Sequence, residues 1–289
     1  MADDIASFQN CYLEACLLEL SAIKPGNVGH HADGHGMTVN QFQMSAAASA
    51  GPLFGTGGGV GMRILRAIQA TREEVGDNTN LGIVMLVAPI AEVLCKNGYS
   101  NNLQKSVQIQ LESLTLDDAR NAYKAIQIAM PGGMGQVEHE DVSNDPTVTL
   151  LEAMHMSADR DQIAEQYSTG YKGIFEHNLP TYREFLDKWG SPEWAATAVF
   201  LSQWLRQPDS LIIRKKGLLK AREINDMIAP LASQVLVSKD PVEYKSSLLS
   251  LDSELKRIGI NPGTTADLTV ATLFVAMLES ASIRDELSE

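Results

Sequence analysis

The chain has 289 residues, 44% hydrophobic and 20% charged, enough to bury a substantial core and too ordinary a mixture for a disordered or fibrous protein. Its formal net charge of −13 argues against nucleic acid or an anionic membrane as partner, because both need a basic patch and the longest basic run is Arg214, Lys215, Lys216. Cys11, Cys16 and Cys95 are odd in number and lack metal-type spacing, which reads as buried reduced thiols in a cytoplasmic protein.

Residues 1–4 are acidic, unlike a signal or transit peptide. From there on, apolar residues recur at helical spacing in nearly every long segment, beginning with Ile5, Phe8, Tyr12, Ala15 and Leu18. The pattern predicts helices over 5–22, 39–51, 61–74, 81–97, 101–113, 116–128, 146–178, 182–189, 192–206, 218–237, 241–258 and 266–287. Pro25, Pro131, Pro180 and Pro262 fall between them, whereas Pro146, Pro192 and Pro241 stand where a first helical turn tolerates a missing N–H. The longest apolar stretch, 81–94, is too short to span a bilayer and contains Pro89 and Glu92, so it reads as a buried helix. Strand-like alternation is confined to a short stretch near 136–142. The expected fold is all-α, a single multi-helix globular domain over 1–289.

Six segments interrupt this pattern with residues that carry chemistry. The first, 24–42, places Gly26, Gly29, Gly34 and Gly36 among His30, His31, Asp33 and His35, a composition suited to wrapping a ligand. Its histidines are open to metal ligation, substrate contact or solvent, and Lys24 to a phosphate or to solvent. Segment 51–61 is glycine-rich but lacks the lysine and hydroxyl of a phosphate loop, so it reads as a flexible connection. Segment 77–82 offers Asn78 and Thr79 either as helix caps or as contacts for a phosphate or base.

In segment 131–141, glycines give way to Glu138, His139, Glu140 and Asp141, a solvated acidic loop in which one carboxylate could act as general base. Segment 209–217 sets Asp209 apart from Arg214 and Lys215 by three apolar residues, either an active-site edge or a surface salt-bridging strip. The last hinge reads Asn261, Pro262, Gly263, Thr264, Thr265, Ala266, Asp267 before the apolar run 268–278. It leaves free N–H groups and a carboxylate at the start of a buried helix, a place for phosphate or metal.

In their common order, these segments resemble the triphosphoribosyl-dephospho-CoA synthase family. The likeness rests on the KPG opening at Lys24, the stretch 42–46 with Ser45, the Asn78, Thr79, Gly82 turn, segment 209–217, and Pro262, Gly263, Ala266, Asp267, Leu268. The resemblance implies an all-α transferase in which a ribose hydroxyl of dephospho-CoA attacks the anomeric carbon of ATP and adenine leaves, with Mg²⁺ as cofactor. It further implies Asp267 and Asp209 at a metal, with Asp267 also supporting the transition state, and Glu138 or Asp33 as base. Lys24, Asn27, His30, Asn78, Thr79, Gly82, Arg214, Lys215, Gly263 and Thr264 would then contact nucleotide substrates.

Several positions depart from the family pattern. Asn80 and Leu81 stand where the family has His and Lys, Gly29 and His30 where it has Asp and Arg, and Lys216 and Gly217 where it has paired glycines. These changes leave room for two alternatives: a relative joining other phosphorylated substrates in one-carbon carrier biosynthesis, or a nucleotide-binding protein without catalysis.

Overall fold

A computed structural model describes residues 2–130 and 142–286, with side chains described from 4 to 282 within those ranges. Among them the chain forms 14 α-helices and no strand. In order these are α1 (Ala2–Ser21), α2 (Val39–Phe54), α3 (Gly59–Val75), α4 (Leu81–Asn97), α5 (Leu103–Glu112), α6 (Leu116–Ala129), α7 (Leu150–His155), α8 (Gln162–Thr169), α9 (Leu179–Trp189), α10 (Pro192–Arg206), α11 (Ser210–Lys216), α12 (Leu218–Val237), α13 (Lys245–Arg257) and α14 (Gly263–Glu286). The helices 81–97, 192–206 and 218–237 have the bounds their periodicity predicts.

The predicted helix 146–178 is broken into α7, α8 and a π-helical turn, Gly173–Asn178, that runs directly into α9. Asp161 causes the first break by accepting from the N–H groups of Ile163 (2.9 Å) and Ala164 (3.1 Å), a cap that starts a new helix. The second follows from Gly170 and Tyr171, both in the left-handed region at φ 63° and 62°. Segment 209–217, read as an interruption, is itself the short helix α11, and 241–258 opens with a 3₁₀ turn, Pro241–Tyr244. Residues 136–141 of the strand-like stretch lie outside the described residues.

Two helices form the centre. In α14, Leu268, Val270, Ala271, Leu273, Phe274 and Val275 are fully buried, as are Val84, Leu86, Val87, Ala88, Ile90 and Ala91 in α4, so both helices are buried on more than one face. Pro89 interrupts the α4 hydrogen-bond ladder by removing the donor for the Met85 carbonyl. The Tyr167 hydroxyl supplies that donor at 2.7 Å, and Tyr171 bonds the next carbonyl, Leu86, at 2.9 Å. In α14 the buried hydroxyls of Thr269 and Thr272 turn back to the carbonyls of Thr265 and Leu268, both at 2.8 Å, so polar side chains enter the core fully satisfied.

The apolar residues separate into two clusters. The larger joins α1 to α9 and the first half of α10 with the body of α14, and the smaller gathers the second half of α10 with α11 to α13. At the start of α14, Ala266 packs into the smaller cluster and Leu268 into the larger, while after α1 the neighbours Ala22 and Ile23 divide in the same way. Asp267 and Lys24 therefore sit at the seam between two cores, where a cleft opens.

Candidate active site

The seam is closed on one side by two proline-glycine turns packed together. Gly26 has φ 86°, and a Cβ there would lie 3.0 Å from Pro262 Cδ and 3.1 Å from the Ile260 carbonyl oxygen, so only glycine fits both the conformation and the approach. Its N–H donates to Asp252 Oδ1 (2.8 Å), and Asn27 Nδ2 donates to Asn261 Oδ1 (2.9 Å). His35, at φ 57°, donates from Nε2 to the Gly26 carbonyl (2.7 Å). The glycine-rich segment thus wraps α13 and the start of α14; of its polar residues, Asn27 and His35 reach the cleft wall.

Three residues expected at the site lie elsewhere or are otherwise engaged. His30 is exposed away from the cleft, its backbone N–H donating to the Leu20 carbonyl (2.8 Å), and does not line the substrate wall. Asp33 is exposed and accepts from the Val39 N–H (3.0 Å), adding to the Thr38–Gln41 capping box of α2, so it does not stand where a base would act. Lys24 is buried, with its ammonium donating to Glu19, to Asn27 Oδ1 (3.0 Å) and to the Val28 carbonyl (2.7 Å). All three of its protons are engaged, leaving none for a phosphate. Burial pushes its pKa down, against the pull of Glu19.

Asp209 is fully buried and does not line the cleft. One oxygen caps α11 by accepting from Leu211 (2.9 Å) and Ile212 (3.0 Å), and the other accepts from the N–H and hydroxyl of Thr265 (2.7 and 2.8 Å). The carboxylate therefore clamps the starts of α11 and α14 together, with its acceptor positions occupied by protein donors rather than turned to the cleft, where a metal ligand was expected. The same helix α11 carries Arg214 and Lys215 in its last turn, where cations suit the helix dipole, and both line the cleft. Segment 209–217 thus divides its acid and its bases between a buried clamp and the cleft edge.

Opposite stands the start of α4. Asn78 Oδ1 accepts from the Leu81 N–H (3.3 Å), and the Thr79 hydroxyl bonds the Ser45 hydroxyl of α2. Asn80 turns away, donating to the Ser45 carbonyl (3.3 Å) and Ser49 Oγ (3.2 Å). Leu81 faces the cleft with Asn78, Thr79 and Gly82. A Cβ on Gly82 would lie 2.0 Å from Asp267 Oδ2, so the two helix starts meet at a carboxylate over a bare backbone.

The cleft these elements enclose has a volume of about 760 Å³. Gly263 and Thr264 contribute to it, with the Thr264 hydroxyl accepting from Ser210 Oγ (3.1 Å). Its lining combines apolar residues, among them Met85, Tyr123, Met130, Leu150 and Met154, with the charged Asp267, Arg214 and Lys215. Glu138 lies outside the described residues. The sequence reading missed Glu19, Arg160 and Asp161, which also line the cleft. The signal for Glu19 was its spacing, seven, four and three residues after the buried Tyr12, Ala15 and Cys16, which puts a carboxylate on the inward face of α1. Arg160 and Asp161 were hidden inside a helix that turns out to be broken.

Asp267 makes no hydrogen bond among the described residues. Burial, reinforced by the charges of Asp209, Glu19 and Asp161, holds its carboxyl well above the usual range against an opposing pull from Arg214. Burial also raises Glu19 even though Lys24 favours its charged form. No group of three or more His, Cys, Asp or Glu residues suited to a metal occurs among the described residues. Among them, too, no helix is long and apolar enough to cross a membrane.

Comparison with known proteins places the chain in one family. The family model described as CitG, ATP:dephospho-CoA triphosphoribosyl transferase, matches residues 5–285. A crystal structure from Archaeoglobus fulgidus, described as a candidate triphosphoribosyl-dephospho-CoA synthase, shares the fold at a TM-score of 0.61 and 22% identity, over 81% of this chain and 97% of that one. No curated protein matches. The chain belongs to the ATP:dephospho-CoA triphosphoribosyl transferase family and is a transferase.

Proposed function

We propose that this member of the family transfers the triphosphoribosyl group of ATP to dephospho-CoA in the cytoplasm, releasing adenine. The observation that carries the reading is Asp267: a carboxylate with no hydrogen-bond partner among the described residues, held against Gly82 at the meeting point of two helix starts, in a cleft that Arg214 and Lys215 also line. In the reaction an acceptor hydroxyl oxygen forms a bond to the anomeric carbon, the bond from that carbon to adenine nitrogen breaks, and its electron pair leaves with adenine. The hydroxyl proton ends on the released base. Positive charge develops on the ribose as the bond stretches, and a nearby fixed carboxylate stabilises it.

Arg214 and Lys215 offer charge-assisted hydrogen bonds to the phosphates, and Asn78, Thr79, Gly82, Gly263 and Thr264 line the wall across which the nucleotide lies. The donor set fits Mg²⁺, which takes one or two carboxylates and fills its shell with phosphate oxygens and water rather than a closed protein cage. Asp267 would hold it, the nearby carboxylates favouring a cation there. The ion would supply positive charge to the triphosphate of an otherwise acidic protein. The three free cysteines accord with a reducing compartment.

Incubation with ATP, Mg²⁺ and dephospho-CoA should release free adenine in a one-to-one ratio with a new conjugate. No adenine with dephospho-CoA or any other thiol-bearing nucleotide acceptor would overturn this reading. A second reading has support from Leu81, which lines the cleft with an apolar side chain. On that reading the acceptor is a different phosphorylated alcohol, from one-carbon carrier biosynthesis, and adenine release would require that acceptor in place of dephospho-CoA.

A further inference from the structure

With Asp33 outside the cleft and Asp209 clamped beneath it, the hydroxyl proton still needs an acceptor at the reacting end. Glu138 lies outside the described residues; among the described ones, four carboxylates line the cleft: Glu19, Asp77, Asp161 and Asp267. Asp77 is exposed, and Asp161 is half-buried with one oxygen capping α8. Glu19 differs from both. It is 4% exposed, comes from the inward face of α1, and has one oxygen, Oε1, bound by Lys24. Its other oxygen receives no hydrogen bond among the described residues. Lys24 is in turn held by Asn27 and the Val28 carbonyl, and Asn27 by Asn261 at the hinge of α14. The chain of contacts fixes Glu19 relative to Asp267, whose charge it influences.

We propose that Glu19 is the general base of the transfer, with Lys24 as the positioning residue that fixes its carboxylate in the cleft. This rests on the triphosphoribosyl-transfer reading. Glu19 Oε2 takes the proton from the acceptor hydroxyl as that oxygen bonds the anomeric carbon; the electron pair of the breaking bond leaves with adenine, which then takes the proton from Glu19. No other oxidant, reductant or co-reactant is required. Facing Glu19 are Lys24 from the following loop, Cys16 from its own helix and Asp267 from α14. Burial raises the Glu19 pKa while Lys24 restrains the rise.

Adenine release, KM for ATP and thermal unfolding of wild type, Glu19→Gln and the double variant Glu19→Gln with Lys24→Met test this. Glu19→Gln should lower kcat by about 10²- to 10⁴-fold with KM for ATP within about threefold. It should also lower Tm, because Lys24 is left charged and buried without its partner. The double variant removes that charge and should regain the lost Tm while kcat stays low. Lys24→Met alone should move the acid limb of the kcat/KM profile to higher pH, a shift that a purely structural lysine would not cause.

Recovery of both Tm and kcat in the double variant would overturn the inference and leave triphosphoribosyl transfer standing. So would Glu19→Gln turning over at the wild-type rate. Wild type that releases no adenine would overturn the reading and the inference together.

Discussion

Gly82 faces Asp267 so closely that a Cβ at position 82 would stand 2.0 Å from the carboxylate oxygen. Glycine is otherwise unfavourable in a helix by roughly 0.5–1 kcal/mol relative to alanine, so its presence in the first turn of α4 reflects this approach and not helix propensity. Gly82→Ala should displace the Asp267 carboxylate and reduce adenine release by about 10²-fold, the scale of a 1 Å misplacement at a reacting centre. Circular dichroism should keep its helical signature. Wild-type turnover in Gly82→Ala would show that the Asp267 position is not needed.

Asp209 acts on stability rather than on substrate. Asp209→Ala removes the cap of α11 and leaves the buried Thr265 N–H without its acceptor, a loss of about 2–4 kcal/mol. For a chain of this size that is a drop of roughly 5–10 °C in Tm. Differential scanning calorimetry gives the answer directly, and a shift below about 1 °C would contradict the clamp.

The pH dependence of Asp267 has a definite sign. Its folded pKa is raised by burial above the unfolded value of about 3.9, so the ligand-free fold binds the extra proton. That contribution is complete below the unfolded pKa and is lost as pH rises through the folded one. Asp267→Asn should therefore be more stable than wild type at pH 8, with the difference shrinking toward pH 5. Melting curves in metal-free buffer across that range check it; glutamate and aspartate neighbours with raised values remain in both proteins, so parallel curves would reject the assignment.

Arg214 is exposed at the cleft edge and makes no hydrogen bond or ion pair among the described residues. Arg214→Ala should leave Tm within about 1 °C while raising KM for ATP about 10- to 100-fold, the range for losing a hydrogen bond to a charged group. Lys215→Ala should act in the same direction but less, because a lysine contacts phosphate as a point charge and not as a fork. Initial-rate kinetics with ATP varied would separate the two.

Helix periodicity made most of the fold legible. The bounds of α4, α10 and α12 follow from apolar spacing with glycine, proline and polar stops. The break between α7 and α8 was harder to see, since it depends on one aspartate choosing a capping geometry over a continuous apolar pattern. For the site, Asn27, Asn78, Thr79, Gly82, Arg214, Lys215, Gly263, Thr264 and Asp267 do meet at one cleft. Lys24 belongs beside it for a different reason: a lysine in a loop reads as a cation for phosphate until its three protons are seen to have partners inside the protein.

By itself the sequence determined an all-helical chain, its family, and the two proline-glycine turns that flank the site, because these depend on local periodicity and on residue order. Only the tertiary structure decided which carboxylates face the cleft. Asp209 and Asp267 look alike as residues after a turn; what separates them is whether neighbouring helices direct N–H donors at the carboxylate or leave it open. Glu19 became part of the site through the same physics: α1 turns it inward, and a buried lysine makes its charge tolerable there.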